Sequence, residues 1–262
     1  MPRSTFRFAP SPNGDLHLGH ALSAALNQRM ARAEGGRFLV RIEDVDPTRA
    51  RPEIAARQLD DLAWLGIVPD EPPVWQSARA GLYEAALARL SAMGLVYPCR
   101  RPRAALTAEA GGRTDPDGGA FVVRAPGADA GAGMAALRLD MAAAARLAGP
   151  LSWHELGSER RSADPAPWGD VVLRRRDGGA AYHLAVVVDD AAQGVTHVVR
   201  GRDLEGQTAI HRLLQALLGL PEPALYHHHR LILDAQGRKL SKSEGAATLV
   251  ARRAAGATHC YV

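Results

Sequence analysis

Cysteines, lysines and long apolar runs are all scarce in this 262-residue sequence. No run of eighteen apolar residues occurs, and the first residues lack the apolar segment of a signal peptide, so neither a membrane span nor export is indicated. A cytoplasmic protein is therefore expected. The two cysteines, Cys99 and Cys260, are too far apart in sequence to suggest a disulfide framework and too few for a complete metal site, so free thiols are expected.

Both lysines of the chain lie three residues apart, as Lys239 and Lys242 in the sequence KLSKS, while every other one of the 32 basic side chains is arginine. Lysine carries a compact, mobile charge that fits close to a single phosphate, whereas arginine presents a wide planar fork. This clustering predicts a functional role for both lysines. The net charge of +4 and the pI of about 9.4 are compatible with a nucleic-acid partner but do not demonstrate one.

The first 45 residues predict a βαβ unit. Residues 5–9 alternate like a strand, residues 10–15 (PSPNGD) form a turn, helical spacing starts near His20, and residues 38–42 predict a second, buried strand. Strands joined in this way run parallel, and ligands bind beyond their carboxyl ends. The loop at residues 10–20 and Glu43, which directly follows the second strand, are therefore expected on one rim of the sheet.

The rest of the chain predicts an α/β fold with a Rossmann-type parallel sheet and an inserted smaller subdomain. Glycine and proline signals bound helices at residues 52–65, 80–93 and 204–218, and apolar runs predict strands at 171–173, 182–188 and 195–199. Residues 98–167 are rich in Ala, Gly, Arg and Pro, offer little core material and predict an insertion with a mobile segment. We expect residues 1–97 and 168–245 to form the two halves of the main domain and residues 246–262 a short tail.

The sequence HLGH at residues 17–20 falls at a predicted helix start, where backbone N–H groups and the helix dipole favour a phosphate. Alone it is weak, because capping histidines are common. Together with KLSKS, however, it resembles the paired signature motifs of class I aminoacyl-tRNA synthetases. The resemblance implies a Rossmann catalytic domain in which His17, Gly19 and His20 bind ATP with its Mg²⁺. It also implies that the motif lysines are catalytic and that Lys242 stabilises charge on the α-phosphate as pyrophosphate leaves.

Three further segments look like the glutamyl branch of this family: RFAPSP at residues 7–12, RIEDVDPTR at 41–49 and YHLAVVVDD at 182–190. The glutaminyl branch usually has Pro-Glu where this chain has Pro-Ser, so glutamate is favoured over glutamine. By this resemblance Arg7 and Tyr182 would bind the side-chain carboxylate of glutamate and Arg200 its α-carboxylate. Glu43 and Ser11 would bind the ammonium group.

Fewer than twenty residues follow KLSKS, whereas full-length glutamyl-tRNA synthetases continue there into a helical domain that reads the anticodon. The chain resembles instead the truncated paralogues of these enzymes, which attach glutamate to the queuosine base of tRNA(Asp). The resemblance implies a ligase, expected to be monomeric, that uses L-glutamate, ATP and tRNA(Asp) carrying queuosine. Two alternatives remain open: a nucleotidyltransferase of the same superfold that acts on another small acid, and an inactive RNA-binding relative.

No metal site is expected. The paralogues often bind zinc after a Tyr-Pro-Cys element, but here Arg101 stands where a second cysteine would follow Cys99, so too few ligands remain. The three histidines at residues 227–229 do not suggest a metal either, because neighbours on a strand point to opposite faces of the sheet.

Overall fold

The computed structural model describes residues 3–127, 133–233, 237 and 248–258. The strands are β1 (Thr5–Phe8), β2 (Arg37–Ile42), β3 (Val74–Trp75), β4 (Val96–Cys99), β5 (Ala136–Leu139), β6 (Leu151–His154), β7 (Arg160–Ala163), β8 (Val172–Arg174), β9 (His197–Gly201) and β10 (Leu225–His229). The α-helices are α1 (Leu18–Ala33), α2 (Pro52–Trp64), α3 (Ala80–Ala92), α4 (Arg103–Glu109), α5 (Met141–Ala148), α6 (Tyr182–Ala192), α7 (Thr208–Leu217) and α8 (Leu249–Ala254).

The main sheet has five parallel strands in the order β10-β9-β1-β2-β3. Thr5 pairs with Arg37 across β1 and β2, which confirms the predicted βαβ unit with α1 as its crossover. Strands β1 and β9 are neighbours in the sheet, and the strands that follow each of them lie on opposite sides of this pair: β2 and β3 beyond β1, and β10 beyond β9. Such a switch point opens a crevice at the carboxyl ends of the strands, where α/β sheets bind their ligands.

The two largest clusters of buried apolar side chains lie in different parts of the fold. One cluster contains the aromatic residues Phe6, Phe8 and Phe38 together with small residues of α1. The other lies between α3, α6 and α7 and includes Leu184, Ile210 and Leu213. Among the described residues, no helix combines the length and the apolar character needed to cross a membrane.

One predicted strand is wrong: residues 182–188 belong to α6. The prediction rested on an apolar run rich in β-branched valine, which is typical of buried strands. In the structure residues 184–190 are all buried, because other elements surround the helix on every side. A helix buried all round lacks the polar face that would produce a 3.6-residue period, so its sequence resembles that of a central strand.

The segment from residue 98 to residue 167 contributes more to the core than its composition predicted. Strands β4, β5 and β8 form an antiparallel sheet, and β6 pairs with β7 in a hairpin. Leu139, Met141 and Ala144 join the cluster that contains α6 and α7, so the expectation of little core material is wrong. Because the antiparallel sheet draws on strands from both sides of the predicted boundaries, the division into domains stays a prediction.

Helix α8 packs against α2 next to a buried carboxyl group. The amide of Leu249 donates to the carbonyl of Leu16 at 2.8 Å, and Arg253 Nη2 lies 3.6 Å from Asp61 Oδ1. Asp61 is fully buried, yet neither of its carboxylate oxygens accepts a hydrogen bond from any residue that the structure describes. Burial raises the pKa of Asp61 to about 6, although Arg253 opposes that rise.

We expect Asp61→Asn to stabilise the protein at neutral pH. Because the folded-state pKa lies above the unfolded value of 3.8, the contribution of Asp61 to stability is most favourable below pH 4 and is lost as the pH rises through about 6. Asparagine removes this charge penalty, so the melting temperature should rise by roughly a few degrees at pH 8 and by less at pH 5. Thermal unfolding of Asp60→Asn, which changes an exposed neighbour, is the control. A destabilised Asp61→Asn protein at pH 8 would show that the charge is required.

Candidate active site

A cavity of about 660 Å³ opens at the carboxyl ends of β1 and β9. Eight of the ten residues that the sequence assigned to the site line this one cavity: Arg7, Ser11, His17, Gly19, His20, Glu43, Tyr182 and Arg200. The other two, Lys239 and Lys242, lie outside the described residues. The structure thus brings together side chains that are nearly two hundred residues apart in the sequence, as the switch-point topology requires.

The loop between β1 and α1 is held in place by α2. Gln58 is fully buried, and its Nε2 donates to the carbonyl oxygens of Ser11 at 3.1 Å and Gly14 at 2.8 Å. The amide of Arg51 donates to the carbonyl of Pro12 at 2.9 Å. A loop rich in proline and glycine therefore has a defined path, which places Ser11 at the wall of the cavity.

One end of the cavity contains a buried charge network. Asp190 Oδ1 accepts from Arg7 Nε at 3.1 Å and from Arg41 Nη1 at 2.8 Å, while Arg41 Nη2 lies 3.5 Å from Glu43 Oε1. Burial alone would raise the pKa of Asp190, but Arg7 and Arg41 hold it below its usual value. For Glu43 burial prevails and raises the pKa, with Arg41 and Arg7 opposing part of the rise.

A second buried carboxylate, Asp189, anchors α6 behind this network. It accepts hydrogen bonds from Gln76 Nε2 at 2.7 Å, Arg79 Nε at 2.6 Å and the Tyr83 hydroxyl at 2.7 Å. These contacts tie α6 to the start of α3 and so fix the position of Tyr182, the first residue of α6. Burial raises the pKa of Tyr182, so its hydroxyl stays protonated and can donate a hydrogen bond.

Arg200, at the end of β9, also lines the cavity and lies among uncharged acceptors. Its Nε donates to His228 Nε2 at 3.2 Å, its Nη1 to His211 Nδ1 at 3.2 Å and its Nη2 to Thr208 Oγ1 at 2.7 Å. Burial and then the charge of Arg200 lower the pKa of His211 well below its usual value. Among the described residues Arg200 forms no ion pair, in contrast to Arg7.

The two histidines of HLGH cap the N-terminus of α1. His17 Nδ1 accepts from the amide of Gly19 at 3.0 Å, and His20 Nδ1 accepts from the amide of His17 at 3.2 Å. When neutral, both rings therefore carry their proton on Nε2, so Nε2 is the donor atom of each. A side chain at position 19 would clash with the His17 ring, because an added Cβ would lie 2.9 Å from its Cε1. Glycine is thus required by the cap itself.

The sequence interpretation did not identify the residues that contact the assigned side chains, which are Arg41, Asp190, His211 and His228, or Glu155, which contacts His228. Arg41 and Asp190 lie in the segments that resemble glutamyl-tRNA synthetases. A buried arginine such as Arg41 requires a carboxylate partner, and this requirement is the signal that could have identified the pair. His228 lies on β10, in agreement with the expectation that the three histidines belong to a strand. Its Nδ1 lies 2.7 Å from Glu155 Oε2. No sequence signal connects Glu155 to a histidine 73 residues later.

The chain matches the model of the class I tRNA synthetase catalytic domain (E and Q) over residues 4–117 and 148–256. It is 49% identical over 269 residues to the glutamyl-Q tRNA(Asp) synthetase of Rhodobacter capsulatus, covering 96% of this chain and 95% of that protein. The corresponding protein of Burkholderia mallei is 46% identical, over 95% of this chain and 84% of its own length.

A solved glutamate tRNA ligase from Elizabethkingia meningosepticum, in complex with its amino acid, matches with a TM-score of 0.77 and 28% identity. The match covers 93% of this chain and 52% of the ligase, so this chain spans about half the length of that enzyme. The family model that matches most of the chain, the two relatives and the solved ligase structure all indicate the same family. The chain belongs to the class I tRNA synthetases of the glutamate and glutamine group, and within them to the glutamyl-Q tRNA(Asp) synthetases.

Proposed function

We propose that this protein condenses L-glutamate with ATP to give glutamyl-adenylate and then transfers the glutamyl group to the queuosine base of tRNA(Asp). The observation that carries the proposal is the single cavity that combines Arg7, Arg200 and Glu43 with two histidines at a helix N-terminus. The two arginines and the glutamate have the charges that bind an amino acid with two carboxylates, and the histidines at the helix N-terminus suit a phosphate. The names of the relatives support the acceptor.

The roles are those implied by the resemblance to glutamyl-tRNA synthetases, and the charges of the side chains in the cavity support them. Arg200 is assigned to the α-carboxylate of glutamate, which attacks the α-phosphorus of ATP so that a new acyl phosphate bond forms and pyrophosphate leaves. Arg7 and Tyr182 are assigned to the side-chain carboxylate, because one supplies positive charge and the other a protonated hydroxyl. Glu43 and Ser11 are assigned to the ammonium group. The charge of a bound ammonium would favour the ionised form of Glu43 against the effect of burial.

ATP is assigned to the helix end and to the lysine motif. His17 and His20 would donate from Nε2 to phosphate oxygens, since their Nδ1 atoms are used in the cap. Gly19 keeps the backbone close to the nucleotide. Lys239 and Lys242 are assigned to the phosphates on the basis of their sequence motif, and Mg²⁺ is expected to enter with ATP and to neutralise phosphate charge.

The residues around Cys99 do not fit a zinc ion. Arg101 pairs with Glu109 and donates from Nη2 to the carbonyl of Val123 at 3.4 Å, so a cation occupies the position of a second thiolate. Four ligands are needed for a structural zinc site, and a guanidinium group is not one of them. We therefore assign no zinc to this chain.

The test is exchange of labelled pyrophosphate into ATP with purified protein and no tRNA. Glutamate is expected to support exchange, and glutamine at least about tenfold less, because an amide forfeits the charge-assisted contact with Arg7. Lys242→Ala controls for contaminating synthetases. Exchange only with a different small acid, or with no acid at all, would overturn the proposal. Labelled glutamate should then transfer to tRNA(Asp) that carries queuosine and not to the same tRNA lacking the modification.

A further inference from the structure

Glu155 and His228 form a buried pair directly behind Arg200. Glu155 follows β6, and its Oε2 lies 2.7 Å from His228 Nδ1 while its Oε1 accepts from the His228 amide at 2.7 Å. The other ring nitrogen, His228 Nε2, lies 3.2 Å from Arg200 Nε. All three side chains are buried, and Glu155 comes from a part of the chain that was expected to be a separate insertion.

The contacts fix which nitrogen of His228 carries the proton. Arginine can only donate, so His228 Nε2 must accept from Arg200, and the proton must lie on Nδ1, facing the carboxylate of Glu155. Burial lowers the pKa of His228, so the ring is neutral at pH 7. Hydrogen bonds from His228 lower the pKa of Glu155 to about 2 in spite of its burial, so this carboxylate is ionised.

The arrangement sets the direction of the Arg200 guanidinium group. Of its five N–H donors, three are directed to His228, His211 and Thr208, one from each nitrogen. This leaves one N–H on each terminal nitrogen, and N–H groups on two nitrogens of a guanidinium group can bind a carboxylate in bidentate fashion. Uncharged acceptors orient the group without neutralising it, so its charge is retained for an anion in the cavity.

We propose that Glu155 and His228 are positioning residues for amino-acid activation: Glu155 holds His228 in the tautomer whose Nε2 accepts from Arg200, and Arg200 is thereby aimed at the α-carboxylate of glutamate. This inference rests on the proposed function. It also gives the segment that contains β6 a role in the amino-acid site. The amide of Leu156 donates to the carbonyl of Tyr226 at 2.8 Å, which fixes Glu155 against β10.

Two amide substitutions at one position separate positioning from folding. Glutamine at position 228 can place its carbonyl oxygen near the position of the histidine Nε2 and still accept from Arg200, but it loses the hydrogen bond to the carboxylate of Glu155. Asparagine reaches only the Nδ1 position, so it still donates to Glu155 but leaves Arg200 Nε without an acceptor. We expect His228→Asn to raise the KM for glutamate about tenfold while the KM for ATP changes less than about twofold. His228→Gln should lower the melting temperature more, yet keep the KM for glutamate within about threefold of wild type.

The experiment combines pyrophosphate exchange with nitrogen-15 NMR of the histidine side chains in the intact protein. Wild-type His228 is expected to show the Nδ1–H tautomer at pH 7. An Nε2–H tautomer, or KM changes that follow the melting temperature in both variants, would overturn the positioning role. If the wild type showed the expected tautomer but no exchange with glutamate, the proposed function would fail and the pair would be rejected as a glutamate-positioning device.

Discussion

Replacing Arg200 with lysine is expected to lower kcat/KM for glutamate in pyrophosphate exchange by about 10³-fold. Lysine keeps the positive charge but lacks the planar fork, so it cannot satisfy His228, His211 and Thr208 while also binding a carboxylate through two parallel hydrogen bonds. Two charge-assisted hydrogen bonds are worth about 2 kcal/mol each, and their combined loss of about 4 kcal/mol corresponds to this factor.

Arg202→Lys is the matched control for this experiment. Arg202 lies two residues further along the chain, its side chain is 62% exposed, and it pairs with Glu205 at the surface. The same exchange of arginine for lysine should therefore leave kcat/KM unchanged. An Arg200→Lys protein with more than one-tenth of wild-type kcat/KM would contradict the assignment of Arg200 to the α-carboxylate.

The position of the candidate site could be predicted in part, because several of the residues that line its cavity lie on strands or directly after them. Arg7 lies in the first strand, Glu43 directly follows the second, and Arg200 lies in the ninth. The rule that ligands bind beyond the carboxyl ends of parallel strands therefore predicts, from the sequence, that the loop at residues 10–20 and Glu43 lie on one rim of the sheet. The histidine cap was also foreseeable, since both histidines precede a periodic apolar segment.

The parts that could not be predicted depend on contacts between distant segments. Asp190 faces Arg7 across 183 positions, and Glu155 faces His228 across 73. Hydrophobic periodicity reports how one element is buried, not which charge it meets on another element. The wrong strand at residues 182–188 has the same origin. A helix that is buried on every side by its neighbours has no amphipathic pattern of its own.

Asp190→Asn is expected to lower both stability and activity. Asp190 is the carboxylate shared by Arg7 and Arg41, and Arg41 is fully buried. Asparagine has the same shape but no charge, so it leaves two guanidinium groups without their common counter-ion. Removing one partner of a buried ion pair costs about 3–5 kcal/mol, which corresponds to a fall in melting temperature of roughly 10 °C for a chain of this size. Glutamate-dependent exchange should fall as well, because Arg7 loses its anchor.

A double variant shows whether the two losses have separate causes. Arg7→Met combined with Asp190→Asn removes one uncompensated charge as well as the carboxylate, and it should recover part of the melting temperature lost in Asp190→Asn. It should not recover exchange, because the cation assigned to the side-chain carboxylate of glutamate is gone. Glu84→Gln, on the exposed face of α3, controls for removing any single negative charge. If the double variant regained glutamate-dependent exchange together with stability, Arg7 would have no role in binding glutamate and the network would serve folding alone.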